Sequence, residues 1–171
     1  FVIYDDIQYT KKGWINRNRY LTNNSVKTIT VNVQKSSSSS LIREINISQD
    51  YDRLKIIRQF ENAYKRAPHF PTGIQVFERI INFNSQNLFN YIFNSIEKIT
   101  DLLELKNTTL IRSSDINYDR SKTSTDRVLA ICKELNTKRF INPFGGLELY
   151  KKEFFESKNL ELLFLKSNNV C

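Results

Sequence analysis

From residue 109 onward the chain alternates short apolar runs with stretches of helical period. This alternation restricts the fold more than any other feature. Thr109–Arg112, Arg139–Asn142 and Leu160–Leu165 have strand length, and Val128, Leu129, Cys132 and Leu135 mark a helix between the first two. A glycine-bearing turn at Gly145-Gly146 opens a further predicted helix containing Leu149, Tyr150 and Phe154. Strand–helix repetition implies parallel strands with helices packed on them. The opening run, Phe1-Val2-Ile3-Tyr4, has the same apolar character. The expectation is an α/β fold: a single domain over residues 1–171 in which these four runs share one mostly parallel sheet with flanking helices. A chain of 171 residues can bury a substantial core.

Between the first strand and the alternating part, the pattern predicts a β-hairpin and a helical insertion. Val26–Val33 alternates β-branched with polar residues, and Ile42–Ile47 is strand-like, so the two are expected to pair across the serine run Ser36–Ser40. Asn23-Asn24-Ser25 reads as a turn. Leu54, Ile57, Phe60 and Tyr64 then form a helical stripe, with Ser48 or Asp50 as N-cap and Pro68 as terminator. Ile74, Phe77, Ile80 and Ile81 mark a second helix after Pro71. Leu88, Phe89, Ile92, Ile96, Ile99 and Leu103 mark a third, capped by Ser85. These helices make up an insertion over residues 50–105. His69, the only histidine, reads as a surface or packing residue beside Pro68.

Chemistry is expected where strands give way to polar loops, because open α/β sheets place ligands outside the carboxyl ends of their strands. The stretch Asp5–Arg19, DDIQYTKKGWINRNR, follows the first strand and holds the only tryptophan. Trp14, Asn16, Arg17, Asn18 and Arg19 together suit stacking plus bidentate contact with an anion. Asp5 and Asp6 are candidate acid/base residues. On a continuing strand they would point to opposite faces, and only if the strand has ended could both face one site. Ser113-Ser114 ends the second strand, and Lys122 with the hydroxyls of Thr123, Ser124 and Thr125 opens a helix, a common setting for an anion. Ordinary capping is the competing reading there. The Asn142–Gly146 turn offers backbone amides in the same way. Loop Gln8–Arg19, loop Ser113–Thr125 and this turn are expected to converge on one cleft.

The net charge of +8 and a pI near 9.5 favour anionic partners. The two cysteines, Cys132 and Cys171, form neither a disulfide framework nor a zinc motif, and Cys132 sits on an apolar helix face as an inert thiol. A reducing, cytoplasmic setting follows, and no apolar run reaches the roughly 18 residues of a membrane span. The chain opens at Phe in mid-strand, so a fragment trimmed at both ends is expected.

Three separated motifs, YDDIQYTKKGWINRNR, ENAYKRAPHF and STDRVLAICKELNTKRFINPFGGLELY, together resemble the WbqC-like proteins over almost the whole chain. The resemblance implies a role in bacterial O-antigen or other surface-polysaccharide biosynthesis, with some members described as glycine transferases acting on amino sugars. It implies substrate-binding positions at Gln8, Trp14, Asn16, Arg17, Asn18 and Arg19. It adds Lys65, Asp126 and Arg127, and Asn142, Pro143, Gly145, Gly146 and Tyr150. Lys65 and Asp126 join Asp5 and Asp6 as catalytic candidates. The family's His-Gln-Pro-type motif, which precedes the opening strand, is not present in this chain. Three functions compete on these grounds: glycyl or acyl transfer to a nucleotide-linked amino sugar, adenylation or nucleotidyl transfer with ATP, and nucleic-acid binding. The last is disfavoured because the charges are spread along the chain. No metal ligand set is apparent.

Overall fold

The computed structural model describes residues 1–22 and 25–168; Asn23 and Asn24 of the expected turn, and Cys171, lie outside the described residues. The strands are β1 (Val2–Ile3), β2 (Arg17–Thr22), β3 (Ser25–Thr30), β4 (Ile111–Arg112), β5 (Arg139–Pro143) and β6 (Glu161–Leu165). The helices are α1 (Arg53–Tyr64), α2 (Phe70–Ile81), α3 (Leu88–Leu102), α4 (Ser124–Glu134) and α5 (Lys152–Glu156). The chain divides into two compact units, Phe1–Ser113 and Ser114–Cys171. The fold is α/β with short parallel sheets.

The four outer runs do pair in parallel, β1 with β4 and β5 with β6. They form two separate two-stranded sheets, not the single sheet that the alternation predicts. The reason lies at the strand ends. β4 runs straight into a 3₁₀ turn at Ser113–Asp115, and the chain bends at Asp6 soon after β1, so neither strand offers further residues to a neighbour.

The hairpin also differs from expectation. β2 pairs antiparallel with β3, from Arg17↔Thr30 to Thr22↔Ser25. Ile42–Glu44 is a 3₁₀ turn, and an isolated bridge, Val33↔Ile47, links the two runs expected to pair. Ile42, Ile45 and Ile47 are the buried positions there, and their first spacing of three suits a tight turn better than a strand. The amides of Ile42 and Arg43 donate to the carbonyls of Ile7 and Asp5 at 2.9 and 3.0 Å. The Glu44 carboxylate accepts from the Leu41 amide at 2.9 Å and closes the turn.

Three helices occupy the expected insertion, with different caps. Asp52, not Ser48 or Asp50, caps α1 by accepting from the Lys55 amide at 2.9 Å. Asn87, not Ser85, caps α3 through the Asn90 amide at 3.0 Å; Ser85 bonds to the Asn87 backbone. α1 buries Ile56 and Ile57 and leaves Leu54 63% exposed, so the stripe is rotated from the one expected. Phe60 of α1 stacks on Phe77 of α2 with centroids 3.9 Å apart. On α3 the buried residues are Leu88, Phe89, Tyr91, Phe93 and Asn94, whereas Ile99 and Leu103 are exposed. The Tyr91 hydroxyl donates to the Ile81 carbonyl at 2.9 Å and lies 3.4 Å from that of Tyr51.

In the second unit α4 and α5 bring Val128, Cys132 and Phe155 onto Leu160 and Leu162. Phe155 is fully buried and stacks parallel to Phe140. Leu149 and Tyr150 precede α5 instead of lying in it, and the Tyr150 ring stands edge-on to Phe155 at 5.6 Å. Asn136 and Asn159, at φ 49° and 57°, follow the ends of α4 and α5, a position that needs the left-handed conformation asparagine tolerates. Among the described residues no helix is long and apolar enough to cross a membrane.

Ile45 has no exposed surface and Leu54 is mostly exposed. In urea unfolding, Ile45→Ala is expected to lose about 2–5 kcal/mol, and Leu54→Ala about 0.5 kcal/mol or less. Equal losses would contradict this placement of the core. Burial also raises the Tyr51 and Tyr91 phenols above the ordinary value, and in Tyr91 the hydrogen bond with Tyr51 adds to it. The fold therefore favours the protonated phenols. That stability is complete below the ordinary phenol value of about 10 and is lost as pH rises through and beyond it. Unfolding midpoints should fall above about pH 10, and less steeply in a Tyr51→Phe/Tyr91→Phe variant.

Candidate functional site

The tryptophan-bearing turn and the serine loop are sewn together. The Tyr9 amide donates to the Ser40 carbonyl at 2.9 Å, and Lys11 Nζ to that of Ser36 at 3.1 Å. Gln8 Nε2 donates to the Ser38 carbonyl. Gln8 is thus a fastener of the loop. The Asn16 side chain pins the other end of the turn. Its Nδ2 donates to the Val31 carbonyl at 2.8 Å, and its Oδ1 accepts from the buried Tyr9 hydroxyl at 3.0 Å. Burial pushes that phenol up, against a smaller opposing effect of the Arg17 charge.

Between turn and serine loop lies a cleft of about 570 Å³. Lys11, Arg17 and Lys35 line it with Asp50, and Asn32 and Gln34 add amide groups. Arg17 Nη2 donates to the Lys11 carbonyl at 3.4 Å, which steadies the guanidinium at the cleft. A pocket of this size, lined by three cations and one carboxylate, is suited to a polar anion. Arg19 takes a different role: its guanidinium lies 4.5 Å over the ring of Trp14, which is 58% exposed. Asn18 bonds locally to the Arg19 amide at 2.7 Å.

Asp5 and Asp6 are both buried. β1 has already ended, and both carboxylates reach one group, the buried Ser113 hydroxyl, with Oδ1 atoms 2.9 and 2.5 Å away. The Asp5 amide donates to the same oxygen at 3.1 Å. These contacts join the carboxyl ends of β1 and β4. Lys65, the C-cap of α1, is exposed and lines none of the described clefts. Its neighbour Tyr64 accepts a hydrogen bond from the Leu21 amide at 3.0 Å and ties this motif to the hairpin.

In the second unit, Lys122 and Asp126 line another cleft, whereas Arg127 is occupied: its Nε donates to the Lys122 carbonyl at 3.1 Å. Thr123, the N-cap of α4, makes no side-chain capping bond. Ser114 accepts at its carbonyl from Arg120 at 2.8 Å. Asn142, Gly145, Gly146 and Tyr150 do not line that cleft. A Cβ at Gly146 would lie 1.9 Å from Asn142 Nδ2, so this glycine serves a close approach within the turn. Burial raises the Cys132 thiol, in keeping with an inert core residue. Among the described residues no group of three or more His, Cys, Asp or Glu could hold a metal. The sequence reading did not select Lys11, Lys35, Asn32, Gln34 or Asp50. A signal existed for the two lysines, which lie inside the tryptophan-bearing stretch and beside the serine run. Asp50 carried none.

Residues 1–170 match the sequence profile of the WbqC-like protein family. The chain belongs to that family. It is also 30% identical over 169 residues to the uncharacterized protein Rv1507c of Mycobacterium tuberculosis, covering 95% of this chain and 70% of that protein. No solved structure gives a significant match.

The Asn16 amide is buried and serves two partners at once. Asn16→Ala should therefore destabilise unit 1 by about 1–3 kcal/mol, since the Tyr9 hydroxyl and Val31 carbonyl both lose a partner. Urea unfolding of this variant beside Asn18→Ala, whose bond is local and exposed, checks it; a smaller loss for Asn16 would count against the pinning role.

Proposed function

We propose that this WbqC-like chain is a transferase of bacterial surface-polysaccharide biosynthesis that moves a glycyl or related acyl group onto the amine of a nucleotide-linked amino sugar. The observation that carries the reading is the convergence of Lys11, Arg17 and Lys35 on one polar cleft of about 570 Å³. A nucleotide-linked sugar has a diphosphate for the cations and hydroxyls for the amides of Asn32 and Gln34. Arg17 supplies a planar fork that matches two phosphate oxygens. Trp14, in the same turn, offers an exposed ring on which a base or sugar can stack. In acyl transfer the amine forms a bond to the acyl carbon while the donor's bond to that carbon breaks. The amine sheds a proton, and Asp50 is the carboxylate in the cleft able to accept it. Family membership supports the pathway, and use of a nucleotide-linked substrate fits a cytoplasmic location.

Calorimetry with a nucleotide-linked amino sugar tests the binding half. Arg17→Lys keeps the charge but loses the fork, and should weaken binding by about 1–3 kcal/mol. Lys27→Gln, at an exposed position of β3, should change it by about 0.5 kcal/mol or less. Mass spectrometry of the sugar after incubation with glycine and ATP, or with a glycyl thioester, tests the transfer. Unchanged affinity in Arg17→Lys removes Arg17 from the site, and an unmodified sugar with every donor argues against the transfer.

A further inference from the structure

Asp126, Leu129, Ala130 and Lys133 stand three, four and seven residues apart on α4 and so share one helix face. That face lines a second cleft, of about 460 Å³, in the Ser114–Cys171 unit. Lys122 lines it from before the first turn of α4, and Lys158 and Leu160 line it from beyond α5. Its lining combines three lysines and one carboxylate with the apolar Leu129, Ala130 and Leu160 and the polar Thr137 and Asn159.

The lysines are not accounted for by ion pairing. Among the described residues none of the three ammonium groups has a carboxylate within 4 Å or a side-chain hydrogen bond, although Lys122 lies near enough to Asp119 to help lower that carboxyl. Lys133 lies in the last turn of α4, where a helix favours a cation. That does not explain Lys122, which precedes the first turn, where the helix disfavours one. It does not explain the concavity either. We infer that this cleft binds an organic phosphate with a short aliphatic portion. Lys133 and Lys158 take the phosphate, and the aliphatic part covers Leu129, Ala130 and Leu160. Three lysines against one carboxylate suit a dianion, and a bare inorganic ion would leave the apolar lining uncovered. The inference rests on no step of the nucleotide-sugar reading, whose cleft lies in the other unit.

The test is calorimetry of the full chain with hexyl phosphate, inorganic phosphate, hexanoate and hexanol. Hexyl phosphate should bind about tenfold or more tighter than each of the others, because it alone engages both the lysines as a dianion and the apolar lining. Lys133→Gln/Lys158→Gln should weaken it by about tenfold or more. Ala130→Trp, which fills the cleft and leaves every charge in place, should abolish binding. Arg17→Lys should leave it unchanged. Amide shifts of the unaltered protein on adding hexyl phosphate should gather at residues 122–133 and 158–160, a readout that needs no variant to fold. Equal binding of hexyl and inorganic phosphate, shifts centred elsewhere, or full affinity in Ala130→Trp overturns the proposal.

Discussion

The first unit depends on a short run of main-chain hydrogen bonds between residues 5–9 and residues 40–43. β1 is two residues long and cannot organise a sheet. Buried amides and carbonyls still need partners. The carbonyls of Asp5 and Ile7 find them in the amides of Arg43 and Ile42, and the Tyr9 amide finds one in the Ser40 carbonyl. This pairing seats the fully buried Ile45 and draws the serine loop beside the tryptophan turn. Together with the bonds from Lys11 to Ser36 and from Gln34 to Asn46, it sets Lys35 and Ser36 across from Lys11 and Arg17. The cleft is thus largely a product of loop-to-loop pairing, to which the hairpin adds Arg17 and Thr30.

The excess positive charge is gathered in concave places as well as spread over the surface. One cleft sets Lys11, Arg17 and Lys35 against Asp50, and the other sets Lys122, Lys133 and Lys158 against Asp126. In each, three cations outnumber one carboxylate. Like charges crowded on low-dielectric walls repel one another, and an anion that enters relieves the repulsion. The single carboxylate supplies the acceptor that cations cannot, so each cleft can hold a ligand with both an anionic group and a donor. The two differ in their walls. Asparagine and glutamine amides line the first, and leucine and alanine line the second.

Much of this was legible in the sequence, and what was missed has physical causes. The apolar strand runs and the helices between them gave the parallel pairings, since both signals are local. Whether four such runs join one sheet depends on how far each strand continues, and the turn at Ser113 and the bend at Asp6 decide that. β2 was hidden because its first three residues, Arg17, Asn18 and Arg19, are all exposed, so Tyr20 alone is buried in it and no alternation shows. Asn16, Arg17 and Asp126, from motifs, and Lys122, from its place before a helix start, do line clefts. Lys35 and Asp50 reach theirs through the pairing of Gln34 with Asn46 and of Ser48 with Asn32, which no local pattern encodes. Tyr150 followed its motif into the list of binding residues, but its ring belongs to the aromatic packing around Phe155.

The contact between Arg19 and Trp14 has an optical consequence. The chain holds one tryptophan, so its indole fluorescence comes from a single known place. That ring is more than half exposed, with a guanidinium held over one face. Such a hydrated indole should emit toward the red, and its emission should change when the guanidinium leaves or a ligand takes the other face. The turn beside the first cleft therefore carries its own spectroscopic label, and occupancy there can be followed with no dye attached, in a signal to which the unit containing α4 contributes no tryptophan emission.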